Sequence, residues 1–360
     1  MPRRTAPDVD TVGAQVASLG RGGVHMNVLL LYGGRSAERQ ISQLSAAFVA
    51  PSLRKAGHRV LEVEIGAGGG WRLEDRELRI QPEPGMWRLL CGGSPLDFDM
   101  VFPVLHGPYG EDGTVQGLCE TAGWPYAGAG VATSSVCMDK VLFRRIMEAY
   151  DLPMAHWAPY QRGDLARAAE EWLERLPVFV KPARLGSSVG ITRVDHGENL
   201  MPALERAAAF DPKVLVEKAV EEAREMEVSV LGEESGITAA VPGEILPGRE
   251  WYDYRAKYDC PESRLVIPAE LPAETADWLR RLACLSFAAV DGIGFARVDF
   301  LLSGDGEVLI NEINTIPGFT SISMFHRLWE AAGVPVDELM DRILRAGMAR
   351  PAVGLPEEAR

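Results

Sequence analysis

Ala296-Arg-Val-Asp-Phe-Leu-Leu302 and Glu307-Val-Leu-Ile-Asn-Glu-Ile-Asn314 flank a turn containing Asp305-Gly306. Asp-Gly between apolar runs signals a hairpin, because a type I′ turn needs positive φ at both central residues. With those two residues as the loop, Gly304 pairs with Glu307, Asp299 faces Glu312, and Arg297 faces Asn314. Strand side chains alternate with period two, so all four polar groups leave one face of the ribbon, with Leu301 and Ile310 as apolar neighbours. Two opposed carboxylates repel unless a cation lies between them. Oxygen-only donors suit a hard cation such as Mg²⁺, commonly shared with substrate phosphates. The ribbon therefore reads as a metal–phosphate site. A solvated hairpin face with ordinary charges is the competing reading, and the apolar neighbours weaken it.

Composition narrows the rest. A chain of 360 residues suggests two or three domains. Its 47% hydrophobic and 24% charged residues are those of a soluble globular protein. A net charge of −14 argues against a nucleic-acid or anionic-membrane partner, which reward clustered Lys and Arg, but not against a nucleotide. The five cysteines are scattered without a CxxC pair, which fits reduced thiols and a cytoplasmic location better than disulfides or zinc. No apolar run approaches the ~20 residues needed to span a bilayer. Residues 1–25 lack an apolar signal-peptide core and read as a disordered extension, or as sequence upstream of a mis-assigned start before Met26.

The continuous apolar run Asn27–Tyr32, ending in Gly33-Gly34, predicts a buried parallel strand, and Met100–Leu105 predicts another. A helical pattern runs from about Ser42 to Lys55, and a second over 139–153. Strands alternating with helices imply an α/β first domain whose ligands gather at strand C-termini, where Gly33–Glu38 and His106–Gly113 lie. Further strands are expected at Pro177–Pro182, Val214–Glu217 and Glu227–Gly232. Pro242–Pro268 reads as a long functional loop, followed by helices at about Ala273–Val290 and Asp337–Ala346.

Several segments suit anion chemistry. Lys181 ends an apolar strand just before Gly186-Ser-Ser-Val-Gly190, where backbone N–H groups can approach phosphate oxygens. The spacing matches neither a Walker A loop nor GxGxxG, and a plain β-turn explains the glycines equally well. Lys140 opens a helix, against the macrodipole, which makes sense beside an anion; a solvated lysine is the bland alternative. Glu217, Glu225 and Glu227 can accept from ribose hydroxyls and an adenine amine, or form a solvated acidic turn. Gly318, in Asn314–Ser321, can present its N–H to an oxyanion or serve a simple Pro-Gly turn.

Seven motifs in order carry a resemblance. They are Gly33–Glu38, His106–Gly113, Met138-Asp-Lys140, Val180-Lys-Pro182 with Gly186-Ser-Ser188, Tyr252-Asp-Tyr254 with Ala256-Lys-Tyr258, Arg297-Val-Asp299, and Asn311–Thr320. Together they resemble the D-alanine–D-alanine ligases of the ATP-grasp superfamily over residues 27–346. The resemblance implies an α/β (mixed α+β) chain: an N-terminal doubly wound parallel-sheet domain, then an ATP-grasp fold of two α+β subdomains. The expected divisions are 26–138, 139–220 and 221–348, with a tail at 349–360.

It also implies chemistry. ATP would phosphorylate the carboxylate of one D-alanine, and the amine of a second would attack the acylphosphate to give a peptidoglycan precursor. Asp299, Glu312 and Asn314 would hold Mg²⁺ or Mn²⁺, as two ions. Lys140, Lys181 and Lys257 would contact ATP phosphates; Glu217, Ala219, Val220 and Glu225 would line the adenosine pocket, and Asn311 belongs with the nucleotide contacts. Glu38 would bind the first substrate's ammonium near His106, while Arg297 and the Gly318 amide would face the oxyanion. Ser323 and Met324 would meet the second substrate's carboxylate, and Ser187 with Tyr258 would join Glu38 to a closing loop that excludes water. A homodimer is expected. Gln40 departs from the family's usual acidic residue beside Glu38, whereas Lys257-Tyr258 favours an amine acceptor, without excluding D-serine. The rivals are a ligase for another D-amino acid, an ATP-binding regulatory pseudo-enzyme, and a hydrolase using His106, which lacks a nucleophile-elbow motif.

Overall fold

Three sheets carry the chain in the computed structural model, which describes residues 25–246 and 264–350. The expectations for residues 1–24, for the segment holding Tyr252, Tyr254, Lys257 and Tyr258, and for 351–360 lie outside the described residues. The apolar run Asn27–Gly33 (β1) lies next to one edge of the first sheet, between and parallel to Arg59–Ile65 (β2) and the edge strand Met100–Pro103 (β7). Its residues alternate between two cores, as a strand buried on both faces must. Val28 and Leu30 pack with helix Arg39–Lys55 (α1), and Leu29 and Leu31 with helix Thr114–Ala122 (α2). Helices thus cover both faces of the parallel strands, as expected. The parallel part ends there. Trp71–Leu73, Arg76–Gln81, Arg88–Cys91 and Ser94–Pro95 (β3–β6) continue beyond β2 as an antiparallel meander. Antiparallel neighbours need only tight turns, whereas a parallel pair needs a crossover of a dozen or more residues, and this stretch has too little chain between strands for one.

Helix α1 begins at Arg39, a turn earlier than its apolar pattern suggested, so Glu38 occupies the N-cap position. Helices Val131–Met138 (α3) and Lys140–Ala149 (α4) follow the first sheet, and Asp139 caps α4 by accepting from the amides of Val141 and Leu142 at 3.1 and 3.2 Å.

The second sheet is antiparallel, with Trp157–Gln161 (β8), Val178–Pro182 (β9), Thr192–Val194 (β10) and Lys213–Lys218 (β11) in the order β10-β9-β11-β8. Helices Leu165–Trp172 (α5) and Leu200–Phe210 (α6) bury one face of it around Trp172, Leu200 and Leu204. Val141 of α4 meets Leu215 on the other face.

The third sheet contains Arg224–Glu233 (β12), Gly236–Ala239 (β13), Gly243–Leu246 (β14), Arg264–Val266 (β15), Gly294–Leu302 (β16) and Val308–Asn314 (β17). The ends of the expected long loop at 242–268 are therefore strands, β14 and β15, paired antiparallel. Helix Ala273–Ala289 (α7) covers one face. Helices Met324–Ala331 (α8) and Val336–Met348 (α9) turn back onto the first sheet, where Phe325, Leu328 and Ile343 share a core with Val28 and Phe102. The end of the hairpin is thereby fastened to the N-terminal unit.

The hairpin register was read correctly at its polar end and incorrectly at its turn. Asp299 pairs with Glu312 and Arg297 with Asn314, as the Asp-Gly argument required. Near the turn, however, Phe300 pairs with Ile310 and Leu302 with Val308. The loop is three residues, Gly304-Asp305-Gly306, closed by Ser303 and Glu307, with Gly306 at φ 91°. A residue held at positive φ after such a turn is where glycine is favoured. The one-residue offset is made up by a β-bulge, where the pairing shifts between Asp299 and Phe300 and Asn311 has no partner across the ribbon. The bulge sends Ile310 into the apolar core with Val298 and Phe300, so Ile310 does not accompany the polar groups as strict alternation had placed it. It also spares Asn311 from that core.

Candidate active site

The three sheets meet around a cavity of ≈ 550 Å³, which Glu38, Lys140, Arg297, Glu312, Gly318 and Ser323 all line. A smaller cavity of ≈ 130 Å³ adjoins it and shares Lys140, Ser187, Glu227 and Glu312 with it.

Glu38 enters from the N-terminal unit. Ser187 Oγ donates to its carboxylate, linking α1 to the Gly-rich loop 149 residues away in sequence. A Cβ on Gly107 would collide with the same carboxylate, and Gly107 sits at φ 71°, so a side chain is excluded there on both counts. The Gly107 amide donates to Glu111 Oε2 at 2.7 Å. Burial, then the Glu38 charge, pushes the Glu111 carboxyl up to about 8. Glu111, inside the His106–Gly113 motif, thus lines the cavity with no role implied by the resemblance.

His106 lies 5% exposed beneath this wall. Its Nδ1 is 3.0 Å from the Ile316 carbonyl, which can only accept, so Nδ1 carries the proton. Nε2 then accepts from Ser45 Oγ at 2.9 Å, and Ser45 Oγ in turn accepts from the Phe319 amide at 3.2 Å. Burial holds the imidazole neutral, with its pKa lowered to about 4. His106 lines the cavity near the expected first-substrate position, yet both ring nitrogens serve the 316–319 turn.

The opposite wall is cationic. Lys181 and Arg144 both pair with Glu217, and all three are buried. Burial raises the Glu217 carboxyl, but Arg144 and Lys181 more than offset that and keep it below its ordinary value. Arg144 was missed; its signal was the four-residue spacing from Lys140, which places both on one face of α4. Lys140 Nζ donates to the Leu185 carbonyl at 2.6 Å, and burial lowers its pKa while Glu312 opposes that. Glu217, Glu225, Lys181 and Asn311 line the smaller cavity. Ala219 and Val220 line a separate depression with His156 and Leu309.

The hairpin forms the floor. Arg297 grips Asp299 with two bonds of 2.7 Å and approaches Glu227 at 3.1 Å, and Asn314 donates to Asp299 at 2.9 Å. The cation facing Asp299 is thus a guanidinium. Burial disfavours its charge, but Asp299 and Glu227 outweigh that and raise its pKa. Among the described residues no three His, Cys, Asp or Glu side chains are arranged to hold a metal. The donor types at Asp299, Glu312 and Asn314 are nonetheless all oxygen, which fits a hard divalent cation.

The Thr315–Ser323 turn closes the cavity. Ser323 precedes α8 and its Oγ accepts from the Thr320 amide at 2.9 Å. A Cβ on Gly318 would lie 3.0 Å from that Oγ, so a side chain there would push the Ser323 hydroxyl back by a few tenths of an ångström. Met324 is buried and lines the cavity.

A doubly covered sheet followed by two sheets that enclose lysines and carboxylates is the architecture of ATP-grasp ligases. Residues 27–129 match the family model for the D-ala D-ala ligase N-terminus, and 146–345 that for its C-terminus. The chain belongs to the D-alanine–D-alanine ligase family. It is 42% identical to D-alanine–D-alanine ligase of Heliobacterium modesticaldum, covering 90% of this chain and 94% of the relative. It is 43% identical to the Solibacter usitatus enzyme of the same name, over 90% and 96%. Among solved structures, the D-alanine–D-alanine ligase from Coxiella burnetii superposes with TM-score 0.80 at 31% identity, covering 90% and 94%. A D-Ala:D-Ser ligase from Enterococcus faecalis superposes with TM-score 0.81 at 29% identity, covering 90% and 100%. Membership implies use of ATP and a divalent cation.

Proposed function

We propose that this chain joins two D-alanines into D-alanyl-D-alanine at the expense of ATP, in the cytoplasm and as a homodimer, for peptidoglycan synthesis. One observation supports this: Glu38, Lys140, Arg297 and Ser323, to which the resemblance gives the ammonium, phosphate, oxyanion and acceptor roles, all line one cavity. Three units at about 26–138, 139–220 and 221–348 contribute to it.

Lys140 and Lys181 face the ATP phosphates, and Glu38 holds the first substrate's ammonium. The γ-phosphoryl group passes to a carboxylate oxygen of that substrate, releasing ADP. The second amine then attacks the acylphosphate carbonyl carbon. Arg297 and the Gly318 amide meet the negative charge that develops on oxygen. Collapse expels inorganic phosphate, and the nitrogen loses its proton to leave the amide. Mg²⁺ or Mn²⁺, as two ions held by Asp299, Glu312 and Asn314, would supply phosphate charge neutralisation when bound. For that, Arg297 must yield part of its grip on Asp299. Lys257 would reach the γ-phosphate and Tyr258 would join the Glu38–Ser187 pair.

Phosphate release with ATP and a panel of D- and L-amino acids tests the proposal. D-alanine-dependent release is expected, and its absence removes the assignment. Release that needs D-serine beside D-alanine would move the chain to the D-Ala:D-Ser reading, which the Enterococcus neighbour makes specific. Glu312→Gln should fold normally and lose turnover by about two orders of magnitude; near-normal activity at ordinary Mg²⁺ would contradict its role.

A further inference from the structure

Four glutamates line the larger cavity: Glu38, Glu111, Glu227 and Glu312. An amino-acid acceptor brings one more carboxylate into it, and a carboxylate entering such a field needs a cation at its own end of the cavity. The cations already described are engaged elsewhere. Lys140 Nζ is bound to the Leu185 carbonyl, and Arg297 is held by Asp299 and Glu227. Arg264, at the start of β15, is exposed. Arg327 differs from all of these. It lines the cavity, it is only partly exposed, and among the described residues it has no hydrogen bond or ion pair.

Its place on α8 fits that end of the cavity. Arg327 lies four residues after Ser323 and three after Met324, the two residues assigned to the second substrate's carboxylate. Helical side chains lean back over the turn that precedes them, so Arg327 covers the turn that begins at Ser323. The guanidinium also borders a neighbouring cavity of ≈ 340 Å³ lined by Lys55 and His326, which offers an alternative destination. That cavity already has a cation in Lys55, paired with Asp337 at 3.6 Å.

We propose that Arg327 is a specificity residue that reads the carboxylate of the acceptor amino acid, so that the ligase takes a free α-amino acid in preference to an amide or ester. This rests on the ligase reading above and names a group that the resemblance did not assign. A guanidinium matches a carboxylate with two parallel N–H donors, which a neutral amide cannot reproduce.

The test uses D-alanine and D-alaninamide together as acceptors. D-Alaninamide has no carboxylate to phosphorylate, so it can enter only as the attacking amine, and D-alanine supplies the acyl half of both products. In Arg327→Ala, the KM for D-alanine at the second subsite should rise about tenfold or more with the KM for ATP unchanged. The preference for D-alanine over D-alaninamide should fall by the same ratio, and Arg327→Lys should recover part of it. An unchanged preference, or a loss that strikes both acceptors equally, would overturn the proposal and leave Arg327 a structural residue of α8. Should Arg327→Ala fail to fold, Arg327→Gln and Arg327→Lys carry the same comparison. A wild-type chain that makes no dipeptide from D-alanine would instead remove the ligase reading itself.

Discussion

Two loops border the same cavity and are held in opposite ways. The Gly186–Gly190 loop hangs from β9, and none of its residues is buried. Ser187 and Ser188 sit at φ 50° and 59°, a left-handed conformation that costs non-glycine residues of order 1–3 kcal/mol each. Its tethers are polar: Ser187 to Glu38, and the Lys140 ammonium to the Leu185 carbonyl. The Thr315–Phe319 turn is buried except at Gly318. Phe319 stacks edge-on against Phe295 and Phe325, with centroids 5.6 and 5.1 Å apart, and His106 and Ser45 bind the turn's backbone from the other side. The difference fits the tasks proposed for the two loops. A turn that presents an N–H to a transient charge must be fixed beforehand, and apolar packing does that without competing for the charge. A loop that covers phosphates must admit them, and polar tethers can be exchanged for ligand contacts.

The largest effect expected from this contrast is Phe319→Ala. Removing a fully buried ring from a four-phenylalanine cluster should cost about 3–5 kcal/mol by chemical denaturation. A loss below about 1 kcal/mol would mean that packing does not fix the turn.

Next is acid sensitivity. The His106 pKa of about 4 in the folded chain lies below the ordinary 6.5, so the unfolded chain binds the extra proton first. Stability from this group is complete above pH 6.5, falls as the pH drops toward 4, and totals about 3 kcal/mol. His326, also lowered to about 4 by burial, adds to the same acid limb. The measurement is therefore the difference in Tm between wild type and His106→Asn from pH 7 to 4. Equal slopes in the two proteins would refute the His106 share.

Smallest in stability is Ser187→Ala, expected within about 1 kcal/mol of wild type because the loop is not packed. Turnover should nevertheless fall roughly ten- to a hundredfold as the bond to Glu38 is lost. A large loss of stability with normal turnover would reverse the roles assigned to the two loops.

Much of this was legible in the residues. β1 and β7 announced themselves as unbroken apolar runs, and the hairpin by its Asp-Gly turn. The antiparallel meander β3–β6 was not, because its strands are short and half exposed, with no sustained period to read. At the site, Glu38 and Ser187 were named together and the fold joins them. Arg144 announced itself only by sharing a helix face with Lys140, and Ser45 looks like an ordinary helical residue until His106 and the Phe319 amide supply its partners. Glu217 shows the limit most clearly: named as a nucleotide contact, it is also the buried anion that holds Lys181 and Arg144 in place.

The bulge at Asn311 has a consequence of its own. A regular strand offers a face only every second residue, so the four positions 311–314 could supply that face with two groups. By slipping one residue out of the pairing, β17 gives the small cavity Asn311 beside Glu312 and still keeps Asn314 against Asp299. The strand gains density where charge must be crowded. The extra position is also detachable: with Asn311 deleted, Ile310 can still face Phe300 and Glu312 can still face Asp299. The hairpin thus holds a spare rung, one that function can alter while the ladder on either side stands.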